Sequence, residues 1–249
     1  MFMSHYATEV CKCPKLIMEN RFAGESAVNQ EMKCLCVFVL DVSGSMRGAR
    51  IEALNQGMRD FYSEIQTGNS VSEKLIDQLE VAIIQYDEEA QILRNPALLD
   101  EDEVPPTLAE RGSTTETVIA MEEAIRMVEE RKEWYKKTGQ KYYRPWIVVM
   151  TDGEPYGDRA TAVDIDAISS RVAVETEGKK YFVMGIGVGE ANMDLLRKMC
   201  GKALPLAGTK FTEFFKWLSN SLSMVSKSKE GEKVNISEGS DAWMNSFEI

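Results

Sequence analysis

Histidine is almost missing: the chain of 249 residues has one, His5, ahead of the first recognisable element. A Ser-His-Asp hydrolase needs a positioned imidazole base. No G-x-S-x-G elbow is present either, so that chemistry has nothing to rest on. No apolar run approaches the roughly 20 residues that a membrane span needs. The opening MFMSHYATEVCKCPK lacks a basic stretch leading into an apolar core, so no secretory signal and a cytoplasmic location are expected. There is no G-x-x-x-x-G-K-[ST] and hence no P-loop. GIGVG at 185–189 follows a strand but lacks the last glycine of a dinucleotide fingerprint, and it reads as a glycine-rich turn. Positive charge is also short: 29 Lys and Arg face 40 Asp and Glu, a net charge of −11. Such a surface repels phosphate backbones, which argues against nucleic acid and for basic partners or cations.

Cysteines number five, and four form two C-x-C pairs, Cys11/Cys13 and Cys34/Cys36. That count does not suggest a secreted disulfide framework. Thiolates could bind zinc, but zinc knuckles usually space their ligands C-x₂-C. Cys34 and Cys36 sit inside the apolar run CLCVFVLD, where free cysteine behaves as a small apolar residue. Cys11/Cys13 lies outside any clear element, and its role stays open. The 14 methionines are scattered, several in helix stripes such as Met58 and Met121, and read as core packing.

What the chain does have is a regular alternation of elements. Residues 34–40 form a continuous apolar run, as in a strand buried on both faces of a parallel sheet. The run ends at Asp41, and DVSGSMRG follows as a tight polar loop. Ile51, Leu54, Met58, Phe61 and Ile65 then make one helical stripe. VSEKLIDQL reads as a short helix. EVAIIQYD and AQILR read as a hairpin, which makes the second of them an antiparallel edge strand. LLDEDEVPP reads as a solvated acidic connection. RGSTTET opens a long helix ending near Lys137. YRPWIVVMTD holds a buried strand with an acidic tip. A helix over 159–177, the strand KYFVMGIGV, the short helix ANMDLLRKMC, a strand at 203–207 and the helix KFTEFFKWLSNSLSMV complete the series. This order predicts a doubly wound, mostly parallel six-stranded α/β sheet with one antiparallel edge strand and helices on both faces. Residues 1–31 read as an N-terminal extension, 32–226 as the domain and 227–249 as a polar tail, disordered on its own. Trp243, Met244 and Phe247 in that tail suit either docking elsewhere or packing on the same domain.

In an open α/β sheet, ligands sit at the carboxyl ends of the strands. Three polar loops lie there: Asp41 to Ser45, Gly112 to Thr117, and Thr151-Asp152-Gly153. Hydroxyl and carboxylate oxygens with water suit Mg²⁺ or Mn²⁺. D-x-S-x-S projects three oxygens from one turn, and Gly44 lets the backbone bend between the serines. Taken alone, the same turn could be a strand-to-helix connection with serine caps. Asp41 and Asp152 would nominally neutralise one divalent ion. If one of them acts through water, the ion stays electrophilic and wants an anionic ligand such as a partner's Asp or Glu carboxylate. A phosphoaspartate phosphatase would need a second acid two residues after Asp41, and that position is Ser43. A phosphate-ester hydrolase using the same metal is the alternative from another class.

DVSGSM, then GSTTETVIAM, then VVMTDGEP resembles the von Willebrand factor A domain with its metal-ion-dependent adhesion site, across roughly residues 32–226. Within that superfamily, DVSGSMRGARIEALNQGM, YRPWIVVMTDGEP and FTEFFKWLSNSLSMVSKS are most similar to bacterial TerY-type (YegL-like) tellurite-resistance proteins. The resemblance implies that Ser43 and Ser45 ligate the metal, with Asp41 bonded beside them or acting through water, and that Asp152 is the acid of the third loop. For the threonine, Thr115 fits the family's T-x-T…A-L register ending at Ala120, while Thr114 fits a G-x-T reading from Gly112. Thr115 is preferred, although Val118 stands where the family has a small residue. Glu154 and Asp158 just past the tip could support the site or touch a basic partner. The implied function is non-enzymatic: Mg²⁺-dependent binding of a protein partner, with kinase- or phosphatase-like proteins of a tellurite-resistance or stress-response system as candidates.

Overall fold

The computed structural model of the protein describes residues 21–68 and 75–227. His5, Cys11/Cys13, most of the first half of VSEKLIDQL and the polar tail beyond 227 lie outside the described residues.

β1 (Cys34–Asp41) is buried along its whole length. Its successive side chains face opposite layers, as the pleat of a strand requires. Cys34, Cys36, Phe38 and Leu40 join a cluster with Phe61, Phe211, Phe214 and Phe215. Leu35, Val37 and Val39 join another with Met121, Ile125, Ile168 and Met199. The first cluster belongs to α1 (Ala49–Thr67) and α6 (Phe211–Lys227), the second to α3 (Thr117–Thr138), α4 (Ala162–Glu177) and α5 (Met193–Cys200). The continuous apolar run in the sequence therefore marks a strand covered on both sides. Phe38 meets the edges of Phe61 and Phe215, with ring centroids 5.3 and 5.5 Å away.

The remaining elements are α2 (Leu75–Gln78), β2 (Leu79–Tyr86), β3 (Ala90–Leu98), β4 (Trp146–Thr151), β5 (Phe182–Val188) and β6 (Ala203–Leu206). The strand order is β3-β2-β1-β4-β5-β6. Every neighbouring pair is parallel except β2 and β3. The chain thus lays β2 and β3 on one side of β1, then crosses back through α3 to place β4 on the other. The expected doubly wound sheet with one antiparallel edge strand is what forms. Its topological switch point lies between β1 and β4, where ligand crevices open in such sheets.

β3 runs further than AQILR, continuing through Pro96 to Leu98. Proline cannot donate to a ladder but is tolerated at an edge or a bulge. The β2–β3 register shifts between Val81 and Ile83 and again between Ile83 and Ile84. Arg94 ties this edge together, donating to Ala97 O at 2.9 Å and Leu98 O at 2.8 Å. It also takes both oxygens of Glu103, at 2.6 and 2.8 Å. The acidic loop after β3 is therefore not simply solvated, because Glu103 ties it to the sheet edge. α4 begins at Ala162 rather than 159, because the Thr161 hydroxyl caps it by accepting the Asp164 N–H.

The residues just before β1 pack onto α3. Phe22 is buried in the second cluster, Arg21 pairs with Glu123 and Glu130, and Trp134 Nε1 donates to Glu25 O at 3.1 Å. Among the described residues, no helix is long and apolar enough to cross a membrane.

Candidate metal centre

The first loop leaves β1 at Asp41 and turns at once. Ser43 N donates to Asp41 Oδ1 at 2.8 Å, an aspartate turn that bends the chain. A short 3-10 turn over Gly44–Met46 follows. Asp41 Oδ2 accepts the Thr151 hydroxyl at 2.6 Å. Both carboxylate oxygens are thus engaged, and the residue is fully buried. Burial pushes the Asp41 carboxyl up to about 6, with Asp152 adding to the rise, while hydrogen bonds from Ser43 and Thr151 pull it back.

The two serines and Asp152 form a chain of oxygens. Ser43 Oγ and Ser45 Oγ stand 3.1 Å apart, and Ser45 Oγ donates to Asp152 Oδ1 at 2.6 Å. Adjacent corners of an octahedral shell with ligands at about 2.1 Å lie about 3 Å apart. The oxygens therefore already have the spacing of neighbouring ligands. Among the described residues, no group of three or more His, Cys, Asp or Glu side chains is placed to hold a metal. A metal here would rely on hydroxyls beside two carboxylates, a hard donor set that fits Mg²⁺ or Mn²⁺.

The second loop is fastened to the first and the third. Arg111 N donates to Val42 O at 2.8 Å. Thr115 and Tyr156 exchange backbone bonds, Thr115 N to Tyr156 O at 2.7 Å and Tyr156 N to Thr115 O at 3.0 Å. Glu116 holds the third loop through its carboxylate, accepting the backbone N–H of Asp158 and, at 3.1 Å, that of Arg159. The backbone at Gly157 comes so close that a Cβ would lie 2.1 Å from Glu116 Oε1, so a side chain there would break the clasp. The two threonines differ in kind. Thr115 is buried and tied down by its backbone. Thr114 Oγ1 is buried with no hydrogen-bond partner, a costly state for a hydroxyl unless something else contacts it.

The structure thus gathers Asp41, Ser43, Ser45 and Asp152 at the switch point, with Thr114 and Thr115 in the adjoining loop. Glu154 instead accepts from Asn192 Nδ2 at 2.7 Å. Cys34 and Cys36 are buried free thiols within β1. Three further residues, given no role in the sequence reading, hold the site together. Thr151 bonds Asp41, Glu116 clasps the third loop, and Arg50 pairs with Asp152.

A family model for the von Willebrand factor type A domain matches residues 36–221, from β1 into α6. The chain belongs to that family. The A-domain fold recurs in solved structures at low identity. The pilus adhesin SpaC from Lactobacillus rhamnosus GG, in its open conformation, is 12% identical with a TM-score of 0.58, over 80% of this chain and 31% of that one. The von Willebrand domain of the type V pili tip protein Mfa5 from Porphyromonas gingivalis is 12% identical with a TM-score of 0.52, over 76% of this chain and 94% of that one. Proximal thread matrix protein 1 from the mussel byssus, with zinc in its metal-ion-dependent adhesion motif, is 14% identical with a TM-score of 0.50, over 77% of this chain and 47% of that one. This chain spans less than half the length of two of these proteins, SpaC and the mussel thread protein. No curated protein matches the sequence.

Proposed function

We propose that this A domain is a metal-dependent protein-binding module. Ser43, Ser45 and Thr115 would hold a divalent ion with Asp152, and Asp41 would fix the first loop from behind through its bond to Ser43 N. The observation that carries this reading is the oxygen chain Ser43–Ser45–Asp152, with contacts of 3.1 and 2.6 Å. When bound, Mg²⁺ (or Mn²⁺) would supply a Lewis-acidic position for a partner's Asp or Glu carboxylate. The chain's own part is to fix three loops so that hydroxyls and a carboxylate converge at one point. The family includes a relative with zinc in this motif, and adhesins stand among the structural neighbours, which supports binding rather than catalysis. The acidic composition favours a partner whose carboxylate is flanked by basic residues. By the resemblance of its loops and last helix to TerY-type proteins, the setting we propose is cytoplasmic, in a tellurite-resistance or stress-response system, with kinase- or phosphatase-like proteins as partners.

Thermal unfolding with and without Mg²⁺ or Mn²⁺ tests the reading, because a ligand that binds only the folded state raises its apparent stability. The ion should raise the Tm, EDTA should reverse the rise, and Ser43→Ala should abolish it. An equal response in wild type and variant would place the ion elsewhere. Turnover of a generic phosphate ester that needs the ion and is lost in Asp41→Ala would replace the binding reading with a hydrolase.

A further inference from the structure

Arg50 brings a permanent positive charge into the centre. It stands in the first turn of α1, where its Nη1 donates to Asp152 Oδ2 and, at 3.1 Å, to the carbonyl of Ser45. Asp152 therefore has both oxygens taken, one by the Ser45 hydroxyl and one by a guanidinium. The Asp152 side chain is 0% exposed and that of Arg50 35%. The acid lies beneath, and the guanidinium covers it toward solvent. Room for this cover comes from Gly189, at φ +61°, where a Cβ would sit 2.8 Å from Arg50 Nη2. The turn after β5 thus leaves a space that the arginine fills.

We propose that Arg50 sets the ligand preference of the metal centre, weakening the grip on a bare divalent ion and making the loaded centre demand an anionic ligand. The inference rests on the metal-binding reading above. Asp41, Asp152 and Arg50 together carry one net negative charge, so a divalent ion leaves the loaded centre with one net positive charge. Without Arg50 the loaded centre would be formally neutral. Charges a few ångströms apart in a partly buried site interact strongly, and arginine cannot shed its proton to escape. A bare ion must therefore share Asp152 with a resident cation. A carboxylate arriving with or after the ion removes the excess charge, and the exposed side of the guanidinium gives it a second donor. Such a centre stays weakly loaded until an acidic partner arrives, which couples metal binding to partner binding.

Titration of the full-length chain with Mn²⁺, read by the electron paramagnetic resonance signal of the free ion, tests this with acetate as the carboxylate probe. Wild type should bind Mn²⁺ weakly and gain affinity when acetate is added. Arg50→Gln, which keeps a hydrogen-bond donor and loses the charge, should bind bare Mn²⁺ about tenfold more tightly, with little response to acetate. Arg50→Lys should behave like wild type. Gly189→Ala keeps the charge but crowds Nη2, so it should also tighten bare-metal binding and serves if Arg50→Gln fails to fold. If wild type binds Mn²⁺ and Arg50→Gln binds it equally or less tightly, the role of Arg50 is overturned while the metal centre stands. If no variant binds Mn²⁺ with or without acetate, the metal centre itself is overturned and this inference with it.

Discussion

Ser45 donates its hydroxyl to Asp152 Oδ1 at 2.6 Å across 107 residues of sequence. One residue leaves β1 and the other leaves β4, and those strands are hydrogen-bonded neighbours only because the chain returns to the centre of the sheet after building its edge. The topology thus brings together the oxygens proposed to bind metal.

Thr151 supports the buried carboxylate of Asp41 through a bond of 2.6 Å. Thr151→Val keeps the shape and removes the donor, leaving a buried carboxylate oxygen unpaired. Such losses cost about 1–3 kcal/mol. Urea unfolding in EDTA should show a loss in that range, and an unchanged midpoint would mean that water replaces the hydroxyl.

The two threonines of the second loop are separated by substitution. Thr115→Val should weaken Mn²⁺ binding by about tenfold or more, the order expected for losing a hydrogen-bonding or ligand group. Thr114→Val should leave binding nearly unchanged and, by removing an unpartnered buried hydroxyl, should not lower stability. The opposite pattern in calorimetry would assign the ligand to Thr114.

Packing of α1 on α6 makes Gly57 irreplaceable. A Cβ there would lie 2.7 Å from Phe215 Cδ2 and 2.9 Å from Phe211 Cβ. Alanine is the better helix former by roughly 1 kcal/mol, yet overpacking a core costs about 1–3 kcal/mol. Gly57→Ala should therefore lower the Tm. A higher Tm would show that α6 shifts freely on α1.

The Glu103–Arg94 pair gives an acid dependence of known sign. The hydrogen bond from Arg94 holds the Glu103 carboxyl below the usual glutamate range, against the opposing effect of burial. A depressed carboxylate contributes stability that is fully present above its unfolded value of about 4.3 and is lost as the pH falls through its folded value. Wild type should exceed Glu103→Gln in Tm at pH 7, and the gap should close in acid below about pH 4. A gap that stays constant with pH would mean that the bond, not the charge, matters.

Much of this was legible in the sequence because it is set by local pattern. Residues 34–40 and 146–150 are apolar on consecutive positions, as strands covered on both faces are. Ile51 to Ile65 repeat with the helical period. Asp41, Ser43, Ser45 and Asp152 stood out because polar oxygens follow directly on apolar strands. What escaped depends on contacts between distant segments. Arg50 reads as an ordinary charged residue of an exposed helix start, and only the return of β4 beside β1 gives it a partner. Thr151 reads as part of the third polar loop, with nothing nearby in sequence to mark Asp41 as its partner. The passage of β3 through Pro96 is accompanied by register shifts against β2 and by bonds from Arg94 to Ala97 O and Leu98 O, none of which local pattern signals. Glu103 reads as one acid among several until Arg94 pairs with it.

The most direct test of the central claim is anomalous diffraction from crystals equilibrated with Mn²⁺. With acetate added as the carboxylate ligand, the account predicts a manganese peak in contact with the hydroxyls of Ser43 and Ser45 and close to Asp152, lost in Ser43→Ala/Ser45→Ala. A saturated peak elsewhere on the protein, or none at this position at millimolar Mn²⁺ with acetate present, would contradict it.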